Sequence, residues 1–477
     1  MEGSLVTSRL GRRLRWNDVY REAELYKAAL RVYTKPLFHW RKALATSSDG
    51  HTLYDLAGRG LRGLDAIHQA LAHHDFRFRP ALALHYNFNG KHRTLYVSPW
   101  EERIVDLVLY RLLNQRLHAW FSPHSYAYRT RSFGLDRCQA GIADILRGPQ
   151  PIYVLKRDIS NYFASVNHEI LIEQLGGLVD PDDYLFELLE QRVRFSYLEQ
   201  GAEREAGVGI PFGSATACVL ANVYLTQLDH ELSSLPGISY FRYADDILLL
   251  SSDRKGLLDA SHRLEENLAH LRLRTKATHQ GDFVLSAECV SDAAFQWTPR
   301  FRHLGLEFRA GGGVALSRDK FRKICNLFRF AFRRNRSRLK KVLEPETRAR
   351  LAVEIAARTV DAGVRNVAIL DYYLKHVDDE EQLRRLDRWL AEEVLSVAFG
   401  GGHRKGYFRR IPFAALRAMG LPSLVHRRRL IRHQQVEAPF FIWKKQQRSR
   451  AFEGTVARRR ARKGTAAFSP VPEAAAG

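Results

Sequence analysis

Short apolar runs broken by polar turns fill the middle of this chain, whereas both flanks carry the wider spacing of helices. Residues 1–77 read as helical, with Trp16, Leu25, Leu30 and Val32 set among charges. Tyr86-Asn87-Phe88 and Leu95-Tyr96-Val97 bracket Asn89-Gly90, the signature of a β-hairpin with a tight turn. Ile152-Tyr153-Val154-Leu155 predicts a strand that ends at Asp158, and a helix-like stretch then runs through His168 and Leu171. Tyr240–Tyr243 and Ile247–Leu250 predict two more strands joined at a turn. A further hairpin begins near Phe301, with Gly311-Gly312-Gly313 as its turn. From Arg318 to His433 the pattern is helical and basic, and beyond Lys463 an Ala/Gly/Pro/Ser tail reads as disordered. The expected segments are therefore 1–77, 78–150, 151–300, 301–317, 318–463 and 464–477.

The turn between the two apolar strands holds Asp245 and Asp246. Ionised carboxylates beside such apolar runs are costly unless a cation or a partner compensates them. Asp is also common in plain turns, and Asp158 alone would read as an ordinary strand end. Together the three carboxylates form a set that can hold two hard divalent cations about 3.5–4 Å apart. Mg²⁺ favours one or two carboxylates plus substrate phosphates, which suits nucleotidyl transfer to a primer 3′-hydroxyl.

The motifs around these acids carry a family resemblance. Tyr243-Ala244-Asp245-Asp246 resembles the YxDD box of reverse transcriptases, and Asp158-Ile159-Ser160-Asn161-Tyr162-Phe163 resembles their first catalytic motif. Gly209-Ile210-Pro211-Phe212-Gly213-Ser214, running on to Leu225, is similar to the loop and helix that support template and incoming nucleotide. His303-Leu304-Gly305-Leu306-Glu307-Phe308 resembles the primer-grip hairpin. Gly90-Lys91-His92-Arg93 and Ser125-Tyr126-Ala127-Tyr128-Arg129 resemble finger motifs of the bacterial branch, which includes group II introns and retrons. Six boxes stand in the family's order from Phe78 to Leu316.

The resemblance implies an α+β right-hand polymerase: fingers over 78–150, a palm over 151–300, a primer-grip hairpin, and a helical basic thumb. It implies Asp158, Asp245 and Asp246 as catalytic residues, with Ile159 joining them around two Mg²⁺ ions, or Mn²⁺ in their place. Lys91 and Arg93 would approach the triphosphate, Arg through forked charge-assisted bonds. Phe163 would lie under the sugar and exclude a ribose 2′-hydroxyl; its plainer reading is a core Phe beginning a helix. Gly213 would permit close backbone approach near the substrate. Arg129, Leu304, Gly305, Arg333, Arg334 and Arg336 would contact nucleic acid. Asn222, in an apolar run, reads as a structural hydrogen-bonding residue. Two departures stand out. Phe212 replaces the Gln that many relatives place before the motif glycine, which puts template handling or fidelity in doubt. The Lys that relatives offer to the leaving pyrophosphate has only Lys276 and His279 as candidates, and neither is assigned.

Composition narrows the partners. The chain has 75 Lys+Arg against 52 Asp+Glu, a formal charge of +23, which points to a polyanion bound with counterion release. Solubility and anionic membrane contact are the other uses of such an excess. Arg322 to Lys341 crowd one basic region, and a second runs from Arg427-Arg428-Arg429 through Lys444-Lys445 to Arg458-Arg459-Arg460, with Phe440, Phe441 and Trp443 interleaved. A solvated helix face is the bland alternative for both. No apolar run is long enough for a transmembrane helix, and no signal-peptide core opens the chain. Cys138, Cys218, Cys289 and Cys325 make no Cys-x-x-Cys pair, arguing against a zinc finger, a disulfide framework and a zinc-type endonuclease tail.

The expectation is a cytoplasmic RNA-directed DNA polymerase acting on an RNA template, for which a dedicated noncoding RNA is one candidate, with dNTPs as substrates and DNA as product. No membrane partner is expected; a homo-oligomer or a partner protein stays open. Its subgroup would be the unclassified or abortive-infection enzymes of antiphage defence. A template-independent or protein-primed DNA polymerase on the same palm is the alternative enzyme, and an RNA-binding intron maturase the alternative of another class.

Overall fold

The computed structural model describes residues 12–36, 39–88, 90–129, 133–276, 281–362, 370 and 374–433. The elements are α+β, as the sequence implies. By their internal contacts they divide into two compact units, Met1–Phe301 with Arg309–Gly312, and Arg302–Phe308 with Gly313–Gly477.

The first unit holds two sheets. β1 (Ala81–Phe88) and β2 (Lys91–Val97) form the antiparallel hairpin that the pattern implied, paired from Leu82 with Val97 to Phe88 with Lys91. Gly90 takes φ +77° in the turn, where a Cβ is disfavoured. β4 (Ser196–Glu199) and β5 (Ala202–Glu205) extend this sheet in the order β2-β1-β4-β5.

The second sheet has five strands in the order β6-β7-β3-β8-β9. These are β3 (Ile152–Asp158), β6 (Ser239–Tyr243), β7 (Asp246–Ser251), β8 (Gly281–Leu285) and β9 (Gln296–Thr298). All neighbours are antiparallel except β8 and β9. β3 and β7 are central strands, which explains their near-continuous apolar runs. Val154, Leu155 and Ile247 to Leu250 are buried.

Three helices matter for the site. α1 (Trp100–Arg116) and α3 (Arg254–His270) flank α2 (Thr216–Ser233). α2 is apolar nearly all round, from Ala217 to Leu232, and so reads as a central buried helix. Among the N-terminal residues, Trp16 and Leu25 enter the core, but Leu30 is 39% exposed.

In the second unit a two-residue turn, Leu304 at φ +47° and Gly305 at φ +83°, joins β10 (Arg300–His303) to β11 (Leu306–Arg309). Two successive positive φ values are the mark of a type I′ hairpin turn, whose twist matches its strands. β12 (Val314–Leu316) follows, then α4 (Arg318–Arg334), α5 (Pro345–Ala362) and α6 (Glu380–Phe399), which pack on one another. Among the described residues no helix is long and apolar enough to cross a membrane. Residues Phe440 to Trp443, the Lys444 to Arg460 basic block and the tail from Gly464 lie outside the described residues, as does His279.

Candidate active site

The three acidic residues meet because of strand register. Asp158, the last residue of β3, pairs directly with Asp246, the first of β7, and Tyr243 pairs with Asp246 across the β6–β7 hairpin. Ala244 and Asp245 are therefore the whole turn. Ala244 sits at φ +60°, where hairpin turns favour Gly, Asn or Asp. The strain is held by two bonds: Ile159 N–H donates to Asp245 O at 3.1 Å, and Arg242 donates to Ala244 O at 3.1 Å. The carboxyls repel and are partly desolvated. Burial pushes Asp246 up to about 6; burial and the charge of Asp158 raise Asp245. A cation beside them would favour the ionised forms.

Lys276 supplies part of that charge. Its backbone N–H donates to Asp158 O at 2.8 Å, and Ser160 N–H donates to Arg274 O, so residues 274–276 lie against the end of β3. The ammonium then contacts Asp158 at 2.5 Å and lies 3.9 Å from Asp245. In this arrangement, among the described residues, no trio of His, Cys, Asp or Glu side chains closes around one ion position. The donor chemistry nonetheless fits hard divalent cations: the oxygens are carboxylates, they are crowded, and two of them are held above their ordinary pKa. Asp158, Asp245 and Asp246 are the residues able to hold such ions, with Ile159 beside them.

Beneath the turn lies a buried polar hub. Arg242, fully buried in β6, pairs with Asp229 of α2 at 2.5 Å and bonds Asn222 at 3.2 Å and Ser125 Oγ at 2.9 Å. Tyr240 also donates to Asp229, at 2.7 Å. Burial opposes the guanidinium charge, but Asp229 outweighs it and raises the pKa of Arg242. Asn222 donates to Ala127 O at 2.9 Å, which bears out its structural reading. The hub ties the acidic turn, α2 and the segment 122–129 together.

The nucleotide-side residues surround a loop clamped from both sides. Gly209 N–H donates to Val166 O at 2.7 Å, Ile210 N–H to Phe163 O at 2.8 Å, and Phe212 O accepts from Tyr96 of β2 at 2.9 Å. Gly213 is at φ +117°, and a Cβ there would meet Leu95 Cδ1 at 2.5 Å and Tyr96 O at 2.9 Å. The close approach that Gly213 permits is therefore to β2. Asp106 of α1 accepts from Ser214 Oγ at 2.8 Å and from the backbone N–H groups of Ala215 and Thr216, capping α2. Phe163 is half-buried and packs against the core with one side. Arg93 is exposed, with its guanidinium 5.7 Å from the Phe212 ring centre. Lys91 opens β2.

The residues expected on nucleic acid divide. Arg129 is turned inward: it donates to Ser122 O and His118 O at 2.7 Å each and to Ser125 O at 3.1 Å, and stacks over Phe133. Burial lowers its pKa to about 10. These bonds tie it to the backbone of residues 118–125. Leu304 and Gly305 form the hairpin turn already described. Arg333 and Arg334 end α4 and Arg336 starts the next short helix; all three are exposed.

Sequence reasoning missed Arg242, Asp229 and Asp106 and left Lys276 unassigned. A signal existed for the first three: a charge inside an apolar run is seldom buried unpaired. Their partners come from distant segments and are invisible in one dimension.

A hairpin with adjacent acids at its turn, a third acid in register on the next strand and a buried helix behind are the arrangement that the motif resemblance implies for a polymerase palm. Residues 89–307 match the family described as reverse transcriptase (RNA-dependent DNA polymerase). Protein YkfC of Escherichia coli K12 is 23% identical over 245 residues, covering 41% of this chain and 61% of YkfC. Retron Ec83 reverse transcriptase of Escherichia coli is 28% identical over 128 residues, covering 26% of this chain and 37% of that protein. The chain thus spans less than two thirds of these relatives. Among solved structures, telomerase from Candida albicans in complex with a fragment of telomeric RNA has a TM-score of 0.45 at 10% identity, covering 74% of this chain and 67% of that one.

Proposed function

We propose that this protein is a divalent-metal-dependent RNA-directed DNA polymerase that extends a primer 3′-hydroxyl with dNTPs. The observation that carries the reading is the register of Asp158 opposite Asp246 with Asp245 in the adjoining turn, three crowded carboxylates of which two have raised pKa. Bound there, two Mg²⁺ ions would activate the hydroxyl and neutralise the leaving pyrophosphate. The chain's own residues do the rest. The three aspartates hold negative charge at one point, Arg242 fixes the turn that presents them, Arg93 is free to fork onto phosphate oxygens, and Phe163 limits the space beneath the sugar. A cytoplasmic setting and a role in antiphage defence belong to the same proposal and rest on the resemblance to bacterial reverse transcriptases; phage challenge of cells with and without the gene tests the latter.

Primer extension on a defined RNA template with dNTPs and Mg²⁺ is the direct test. The wild-type protein should extend, and Asp245→Asn or Asp246→Asn should lower the rate by about 10²-fold or more, the scale of losing one preorganised electrostatic group. Equal extension by the variants would sink the assignment. Extension that ignores the template sequence would favour a template-independent polymerase instead.

A further inference from the structure

A cluster of aromatic rings near the acidic turn is centred on Phe163 and includes Phe212, the residue that departs from the family pattern. Phe212 meets Phe163 edge to face, centroids 5.8 Å apart at 89°. Phe163 in turn meets Tyr128 at 6.0 Å and 80°, and Tyr162 at 5.8 Å and 82°. Phe163 is thus held by three rings, and Tyr162 and Tyr128 are themselves fixed. Tyr162 is buried and bonded to Ala221 O, while the Tyr128 carbonyl accepts from Tyr110 at 3.1 Å. The Phe212 backbone is anchored on both flanks, by Ile210 on the Phe163 carbonyl and by its own carbonyl on Tyr96.

We propose that Phe212 is a specificity-determining positioning residue: it braces Phe163 so that the wall beneath the sugar cannot yield to a 2′-hydroxyl, and its face parks the Arg93 guanidinium beside the same pocket. The proposal rests on the reverse-transcriptase reading and deepens it. A glutamine at this place would offer an amide to hydrogen-bond; a phenyl offers none. What the ring gives instead is area, rigidity and a negative face. Movement of Phe163 toward the 209–213 loop meets Phe212, whose carbonyl is tied to β2. The guanidinium carbon 5.7 Å from the Phe212 centroid is within the range of cation–π attraction, so Arg93 is drawn toward the ring before any triphosphate arrives. A polar recognition contact has been exchanged for a stiffer steric one.

The test compares single-nucleotide incorporation of a dNTP and the matching rNTP on one primer–template, using the full chain and its variants Phe212→Gln, Phe212→Tyr, Phe163→Ala and the Phe163→Ala/Phe212→Gln double variant. Phe212→Gln should lower the dNTP/rNTP ratio of kcat/KM by about three- to tenfold, the factor that one lost ring–ring contact is worth. Phe212→Tyr keeps the ring and should keep the ratio. The double variant should discriminate no worse than Phe163→Ala, because both changes act through one ring. A Phe212→Gln ratio within twofold of wild type overturns the proposal, as does additive loss in the double variant. Thermal unfolding with dGTP against GTP in Mg²⁺ gives a second readout independent of turnover: wild type should be stabilised more by dGTP, and Phe212→Gln should narrow the gap. If the wild type never extends a primer, the polymerase reading has failed; if it extends and the ratios stay together, only the bracing role has.

Discussion

Asp246 is the residue whose ionisation most directly reports the state of the site. Its pKa is raised from 3.8 to about 6, burial being the largest cause. Between those values the folded protein holds a proton that the unfolded chain has lost. Folding stability from this group is therefore greatest below about pH 4, falls as pH rises toward 6, and stays low above it. A divalent cation binds the ionised form, so its stabilisation should run the opposite way. Thermal unfolding with and without Mg²⁺ should show a gain at pH 7.5 that fades by pH 5. Asp246→Asn should raise the melting temperature of the metal-free protein at pH 7.5 and blunt the Mg²⁺ response. A Mg²⁺ gain that is the same at both pH values would remove Asp246 from the ion site. Lys276 bears on the same balance, since its ammonium stands on Asp158 in the free protein.

At the scale of elements, the catalytic hairpin is only as rigid as what lies behind it. β6 and β7 are joined by a turn with a strained alanine, and Arg242 connects that turn to α2 and to the 122–129 segment. Arg242→Met would leave the Asp229 carboxylate buried without its partner. The expected cost is about 3–5 kcal/mol, read as a lower urea midpoint. Adding Asp229→Leu should recover part of it, because two apolar groups replace a pair whose desolvation was costly. A single variant as stable as wild type would show the pair to be dispensable. β1, β2, β3, β6 and β7 were readable from apolar runs, α2 from the motif resemblance, and the acidic turn from its two flanking runs. The hub was not, since Ser125, Asn222, Asp229 and Arg242 are up to 117 residues apart in sequence. Arg129 shows the same limit from the other side: its Nη1 and Nη2 bonds to the carbonyls of His118, Ser122 and Ser125 are set by the folded loop and not by its motif.

On the scale of the whole molecule, the excess of 75 basic over 52 acidic residues suits a polyanionic partner. Part of the excess is exposed on α4 and the short helix after it, at Arg322, Lys323, Arg333, Arg334 and Arg336. These residues are expected to hold RNA through its phosphates, with little reading of bases. Log affinity should then fall by about 0.7–0.9 per neutralised phosphate for each log unit of salt. Replacing Arg333, Arg334 and Arg336 together by Gln should weaken binding in fluorescence anisotropy and flatten that slope. Affinity indifferent to salt, or untouched in the triple variant, would make this an ordinary solvated helix face.

The amino-acid sequence by itself determined the elements and the chemistry they carry. Period-two and continuous apolar runs specify the strands, glycines permit the turns, and the identities of Asp158, Asp245 and Asp246 make a hard-cation site conceivable. Those are local properties, set by each residue and its near neighbours. What only the tertiary structure decided is which groups share a space. Strand register put Asp158 opposite Asp246, the return of residues 274–276 put Lys276 on Asp158, and the clamped 209–213 loop put Phe212 against Phe163. The physical reason is that charge compensation and steric exclusion depend on distances of a few ångströms between segments far apart along the chain, and burial of the common core is what sets those distances.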